Sequence, residues 1–322
     1  MQTQWKTTFV ESVRPEYFFW FAMVGVFFLF LFPQGAEPAV AHTGVASLGT
    51  LTAPRENPYE KLELLGRAGY VYDLKNKKVL FEKNADDILP LASITKIMTA
   101  ITALSLVPET TDITISSDAL KVEGDSGLKV GERWLLRDLL AFTLIGSSND
   151  GAVAISSAIG GFFATSTPDA EASRARFIGE MNRLARAIGL TSTTFLNETG
   201  LDVDTERAGA YSSAKETASL LAYALTTTPE IFTGTRFDAL SLGTEEGEKR
   251  STKNTNTETH RLPLLIASKT GYTDLAGGNL VIAFDAGFGH TIIISVLGST
   301  VDGRFADVEK LVWATLEYIN RH

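Results

Sequence analysis

Residues 90–104 read Pro-Leu-Ala-Ser-Ile-Thr-Lys-Ile-Met-Thr-Ala-Ile-Thr-Ala-Leu, and the reading of the whole chain turns on them. Ile94, Ile97, Met98, Ile101 and Leu104 recur at the spacing of one helix face. Ser93 and Lys96 fall beside that stripe, together with Ala100 and Ala103. A helix with one apolar face and a second face of small residues is expected to be covered on most sides. Lys96 is then an interior lysine, and loss of hydration lowers its pKa towards neutrality. Ser93 stands at the helix start, where unpaired N–H groups favour developing negative charge. Three residues apart on a helix means the same side of one turn, so a hydroxyl and an amine can share a proton without a histidine.

The Ser-x-x-Lys spacing occurs three times, at Ser93/Lys96, Ser126/Lys129 and Ser212/Lys215, so spacing alone selects nothing. Ser126 lies in Gly124-Asp125-Ser126-Gly127, which looks like a chymotrypsin-type nucleophile signature but reads as a Gly-rich turn. The one histidine before it, His42, stands in a linker, so the base such enzymes require is missing. Ser212/Lys215 opens a helix, yet Ser213 with Glu216 forms a capping-box pattern that explains the stretch structurally. Asn197-Glu198-Thr199 fits a glycosylation sequon with nothing else to support it.

Working outward, Ala68–Asp73 and Val79–Glu82 read as a hairpin turning at Asn76 and Lys77. A helix-rich middle follows over 136–145, 151–159, 172–188 and 213–225. Strands are expected over 279–284 and 291–297, with a last helix over 305–320, while 252–259 reads as a polar loop. Strands near both ends with helices between predict one sheet built from the two termini, plus a helical subdomain. Two short motifs complete the pattern. Ser147-Ser148-Asn149 lies between two apolar helices, and Lys269-Thr270-Gly271 lies on a strand near the sheet edge.

Composition narrows the chemistry. The chain has 322 residues, 44% hydrophobic and 21% charged, which excludes wholesale disorder. A net charge of −9 argues against nucleic-acid binding, which needs clustered Lys and Arg. Cysteine is absent, which removes disulfides and thiolate chemistry. The four histidines have no metal-ligand spacing, so neither metal nor cofactor is expected, and His260 and His290 read as surface loop and hairpin residues. Tyr17–Phe32 is an unbroken apolar run preceded by Lys6 and Arg14. As a helix it reaches about 24 Å, close to a bilayer core. Residues 1–41 are read as a membrane anchor or as a signal peptide cleaved at Ala39-Val40-Ala41, residues 42–61 as a linker, and 62–322 as one exported domain.

The order Ser-x-x-Lys, Ser-x-Asn, Lys-Thr-Gly is the signature of penicillin-recognising serine enzymes. The sequence resembles the low-molecular-mass penicillin-binding proteins, the serine-type D-alanyl-D-alanine carboxypeptidases, over about residues 62–320. Beyond the three motifs, residues 90–100, 190–202 and 211–215 are similar to segments of that family. The resemblance implies a β-lactamase/transpeptidase-like α+β fold, a three-layer α/β/α arrangement with an antiparallel sheet flanked by helices. It further implies that Ser93 forms an acyl-enzyme, Lys96 is its general base and Ser147 relays a proton to the leaving amine. Asn149 is expected to bind the peptide amide, Lys269 and Thr270 the substrate carboxylate, and Gly271 to let the strand approach the ligand. The oxyanion hole is expected from the N–H groups of Ser93 and Tyr272. The implied substrate is a peptidoglycan stem peptide ending in D-Ala-D-Ala, with β-lactams as covalent inhibitors. Many relatives carry a further all-β domain with a C-terminal anchor. None is expected here, so the membrane tether is expected at the N-terminus, on the extracytoplasmic face.

Three alternatives stay open. A DD-endopeptidase cuts cross-links with the same residues. A class A β-lactamase shares all three motifs but needs a Glu-x-x-x-Asn element, and no glutamate in the chain has asparagine four residues later. An inactive penicillin-binding module keeps the fold without turnover.

Overall fold

The computed structural model describes residues 57–162 and 169–321. Five antiparallel strands form its main sheet, in the order Leu265–Thr273, Gly277–Asp285, Thr291–Ser299, Ala68–Asp73, Lys78–Lys83. The N-terminal hairpin thus pairs with the C-terminal strands, Ala68 opposite Leu297 and Asp73 opposite Ile292. The helices are α1 (Lys96–Leu106), α2 (Leu136–Gly146), α3 (Asn149–Phe162), α4 (Ala170–Ala187), α5 (Ala214–Thr227) and α6 (Gly303–Arg321).

Both faces of the sheet are covered, which is why its strands are apolar at successive positions instead of alternating. Leu280, Ile282 and Phe284 pack with Val308, Leu311 and Val312 of α6 on one face. Val281 and Ala283, pointing the other way by the two-residue period of a strand, join Ile97 and Ile101 of α1 and Leu221 of α5. This is the expected three-layer arrangement. Each fully buried Ile, Leu or Phe contributes about 1.5–3 kcal/mol by leaving water. A helical group built on α2, α3 and α4 flanks α1, with Trp134 buried and its ring 5.4 Å from that of Phe142.

Differences from expectation are local. The segment opened by Ala92 is a 3-10 turn, and the α-helix begins only at Lys96. A hairpin of Ala239–Gly243 and Lys249–Lys253 was not expected. It takes in Thr252 and Lys253 from the stretch read as a polar loop, and Asn254 and Asn256 beyond it are buried. Tyr59, in the stretch read as linker, is buried, stacks on Phe81 and donates its hydroxyl to Thr315 Oγ1 at 2.8 Å. His290 does sit in a hairpin, but its ring is 13% exposed and lies 2.8 Å from Asp73. The apolar run Tyr17–Phe32 lies outside the described residues. Among the described residues no helix is long and apolar enough to cross a membrane.

Candidate active site

The three motifs meet where the edge strand Leu265–Thr273 passes the turn ahead of α1. That turn is held by its surroundings. Leu91 donates its N–H to Ala210 O at 3.0 Å, and Asn279 Nδ2 donates to Pro90 O at 2.9 Å. Ala92, with φ of 49°, is forced into the left-handed region that alanine rarely adopts. Such strain persists only where the packing over-determines it. Gly200 adds to this packing, because a Cβ there would stand 1.9 Å from Ala92 O.

Lys96 is 1% exposed and its ammonium nitrogen has three acceptors: Ser93 Oγ at 2.8 Å, Asn149 Oδ1 at 2.7 Å and Thr199 O at 2.8 Å. Burial pulls its pKa down to about 7, against the opposing pull of the Glu198 and Asp150 carboxylates. Near neutral pH a large share is therefore free amine, 2.8 Å from the serine hydroxyl. A free amine there can take that proton.

Ser147 terminates α2 in the left-handed conformation, φ 57° and ψ 35°, which turns its hydroxyl out of the helix. Lys269 Nζ donates to Ser147 Oγ at 2.9 Å and to Thr270 O at 2.9 Å. Lys269 is 2% exposed, and burial, with Lys96 and Arg304 nearby, holds its pKa well below that of an ordinary lysine. Thr270 Oγ1 lies 2.5 Å from Thr255 Oγ1. Tyr272 is 52% exposed at the end of the strand. Ser268 turns its N–H away from the sheet, onto Thr235 Oγ1 at 3.0 Å. The period of an antiparallel ladder gives Thr270 and Tyr272 the same direction, so the Tyr272 N–H lies on the free edge.

At two of the expected site residues the contacts add a structural role. Gly271 was expected to let the strand approach the ligand. A Cβ there would stand 2.7 Å from Leu91 O and 3.2 Å from Ala92 Cβ, so the glycine lets the strand approach the Ser93 turn. Asn149 was expected to bind peptide, yet its Oδ1 accepts from Lys96 and its Nδ2 donates to Glu123 O at 2.8 Å. One amide hydrogen is left for a ligand.

Several residues at the site escaped the sequence reading. Thr199 holds Lys96 through its carbonyl, and Glu198, fully buried, pairs with Arg174 Nε at 2.7 Å. The signals there were the family resemblance of residues 190–202 and the Asn-Glu-Thr triplet, whose Asn197 Oδ1 accepts from the Gly200 N–H at 2.7 Å and so shapes the loop. Arg304, buried at the start of α6, donates to Gly271 O at 2.8 Å. The Gly-rich turn at 124–127 is a turn as read, but it packs on the Ser-x-Asn motif. Ser126 and Ser148 both hydrogen-bond the buried Asp150 carboxylate, and a polar cavity of about 310 Å³ opens between this turn, Ser147–Asn149 and Ser251–Lys253. Ser212 and Lys215 lie apart from the site, with Lys215 Nζ 3.1 Å from Asp86.

A family model described as D-alanyl-D-alanine carboxypeptidase matches residues 57–300. The chain is 32% identical over 308 residues to D-alanyl-D-alanine carboxypeptidase DacC of Escherichia coli (strain K12), covering 89% of this chain and 66% of that protein. It is 31% identical to a D-alanyl-D-alanine endopeptidase of Pseudomonas aeruginosa, covering 73% of this chain and 74% of that protein. Among solved structures, penicillin-binding protein D2 from Listeria monocytogenes in its ampicillin-bound form superposes with a TM-score of 0.65 at 30% identity, over 79% of this chain and 98% of that one. The chain spans 58% to 66% of the length of the first curated relatives it matches.

Proposed function

The chain belongs to the D-alanyl-D-alanine carboxypeptidase family, and on that premise we propose that it is an exported serine DD-carboxypeptidase trimming the terminal D-alanine from peptidoglycan stem peptides. The observation that carries this reading is the contact of Lys96 Nζ with Ser93 Oγ at 2.8 Å, inside a site that excludes water from the lysine. Lys96 takes the Ser93 proton as Oγ attacks the carbonyl between the two D-alanines. The N–H groups of Ser93 and Tyr272 receive the developing oxyanion. Ser147, hydrogen-bonded to Lys269, carries a proton to the leaving D-alanine amine. Lys269 and Thr270 take the terminal carboxylate, and water then releases the shortened peptide from Ser93. β-Lactams acylate the same serine. The reading of export rests on the apolar run Tyr17–Phe32, taken as an N-terminal anchor or a cleaved signal peptide.

A second reading, DD-endopeptidase, is favoured by the Pseudomonas aeruginosa relative, of which the chain covers 74%. Incubation with defined muropeptides separates the two. Release of free D-alanine from monomeric pentapeptide is the expected result. Cleavage of cross-linked dimers without D-alanine release replaces the carboxypeptidase reading with the endopeptidase one.

A further inference from the structure

We infer that Thr255 is a positioning residue for ligand carboxylates: its hydroxyl holds the Thr270 hydroxyl in the orientation that donates to the anion. The inference rests on the reading that Thr270 receives a carboxylate. Thr255 belongs to none of the three motifs and lies in the segment that the sequence presents as an unremarkable polar loop.

The loop is pinned from several sides. Thr255 donates its N–H to Ile145 O at 3.1 Å, two residues before Ser147. Asn254 Nδ2 donates to Thr235 O and Phe237 O, both at 2.8 Å, and Asn254 Oδ1 accepts from the Asn256 N–H at 2.8 Å. Thr235 also accepts the Ser268 N–H, so one residue ties the loop to the Lys269–Thr270 strand. The result is a threonine fixed between the end of α2 and the reactive strand, its Oγ1 2.5 Å from Thr270 Oγ1.

A threonine hydroxyl carries one hydrogen and two lone pairs. Thr270 cannot donate its single hydrogen to a ligand and to Thr255 at once. When an anion is bound, Thr255 must be the donor and Thr270 the acceptor from it. Thr270 then donates onward, and each bond in such a chain polarises the next. Among the described residues Thr255 Oγ1 has no other hydrogen-bond partner, so no other protein group there competes for its hydrogen. Thr270 is 3% exposed, so water has little access to replace a lost partner.

The test compares the full chain with Thr255→Val, which keeps the shape and removes the hydroxyl, and Thr255→Ser, which keeps the hydroxyl. Two ligand pairs are measured: a D-Ala-D-Ala peptide and its C-terminal amide by kcat/KM, and benzylpenicillin and its methyl ester by acylation rate. Thr255→Val is expected to lose about two- to tenfold on the carboxylate member of each pair, the scale of one neutral hydrogen bond, and to change little on the uncharged member. Thr255→Ser is expected to stay near wild type. An equal loss on charged and uncharged ligands, or no loss at all, overturns the inference, as does a wild type with no acid preference in either pair. A wild type that processes the peptide amide as fast as the acid, with Thr255→Val still showing the selective loss on penicillin, sinks the carboxypeptidase reading and leaves Thr255 in its role.

Discussion

Ser93 and Lys96 lie on the turn that runs into α1, and Ser212 and Lys215 lie where a short strand passes into α5, so both pairs combine the same residues and spacing at the start of a helix. Their surroundings separate them. Lys96 is enclosed, its Nζ 2.8 Å from Ser93 Oγ, and burial drags its pKa to about 7. Lys215 has a side chain 51% exposed, and the Asp86 carboxylate 3.1 Å away raises its pKa. Ser212 Oγ turns to Thr193 Oγ1 at 2.6 Å. A long amphipathic side chain keeps its charged end in water where it can. The lysine therefore meets its serine only where the fold denies it that exit. On the proposed function the reactivity of the first pair is a property of burial, and the three-residue spacing merely permits it.

Removing the serine of each pair separates the two most sharply. Ser93→Ala should abolish labelling by a fluorescent penicillin, a loss of about 10⁶-fold on the scale seen when a catalytic serine is deleted. Ser212→Ala and Ser126→Ala should label like wild type. Labelling that survives Ser93→Ala and is lost in Ser212→Ala would reverse the assignment. Because no Glu-x-x-x-Asn element is present, the penicilloyl adduct should also persist far longer than a peptide acyl-enzyme.

Lys269 is the second buried lysine, which the proposed function sets at the carboxylate end of the ligand. Removing one partner of a desolvated charge pair costs about 2–5 kcal/mol, which is roughly thirty- to several-thousand-fold. Lys269→Ala should lower kcat/KM for D-Ala-D-Ala peptides within that range, while circular dichroism stays native. Amidating the substrate should harm wild type and harm the variant much less. Equal sensitivity of both to amidation removes Lys269 from carboxylate recognition.

A smaller effect separates the lysines by pH. Lys96 accepts a proton only as free amine, and burial lowers its pKa to about 7. Acylation should therefore be level above about pH 7 and fall about tenfold for each unit below it. Asp86 keeps Lys215 protonated across that range, so Lys215→Ala should leave the limb in place. A limb that moves in Lys215→Ala ties the profile to the wrong pair.

The sheet, the helical middle and the three motifs were legible because each is carried by a contiguous pattern: apolar runs, a 3.6-residue stripe, or residues one to three positions apart. The hairpin over 239–253 was not. Its strands Ala-Leu-Ser-Leu-Gly and Lys-Arg-Ser-Thr-Lys cover little core, and none of their residues is fully buried. Thr199, Arg304 and Thr255 were illegible for a different reason. They reach the site through a carbonyl, a guanidinium and a hydroxyl brought from remote parts of the chain, and no local pattern discloses those contacts. The capping box at α5 was legible by half. Ser213 Oγ accepts the Glu216 N–H at 3.1 Å, as the pattern requires. The Glu216 carboxylate, however, accepts from the Ser192 N–H at 3.0 Å and Thr193 Oγ1 at 2.6 Å, a tertiary tie that the pattern could not disclose.

That cap supplies the mildest test, because it asks whether the second Ser-x-x-Lys stretch serves the helix and nothing more. Loss of an N-cap hydroxyl costs about 0.5–2 kcal/mol. In a domain of this size each 1 kcal/mol lowers Tm by about 2–4 °C. Ser213→Ala should thus lower Tm by a few degrees, and Ser213→Asp, which restores an acceptor at the helix N-terminus, should recover most of it. Glu216→Ala should also destabilise, through the exposed Ser192 N–H and the Thr193 hydroxyl it leaves behind, with no effect on the cap itself. Penicillin acylation at a temperature well below Tm should be unchanged in all three. A Ser213→Ala protein that melts like wild type but acylates slowly would mean that the stretch at α5 reaches the active site after all, and burial of the lysine would no longer be what separates the two pairs.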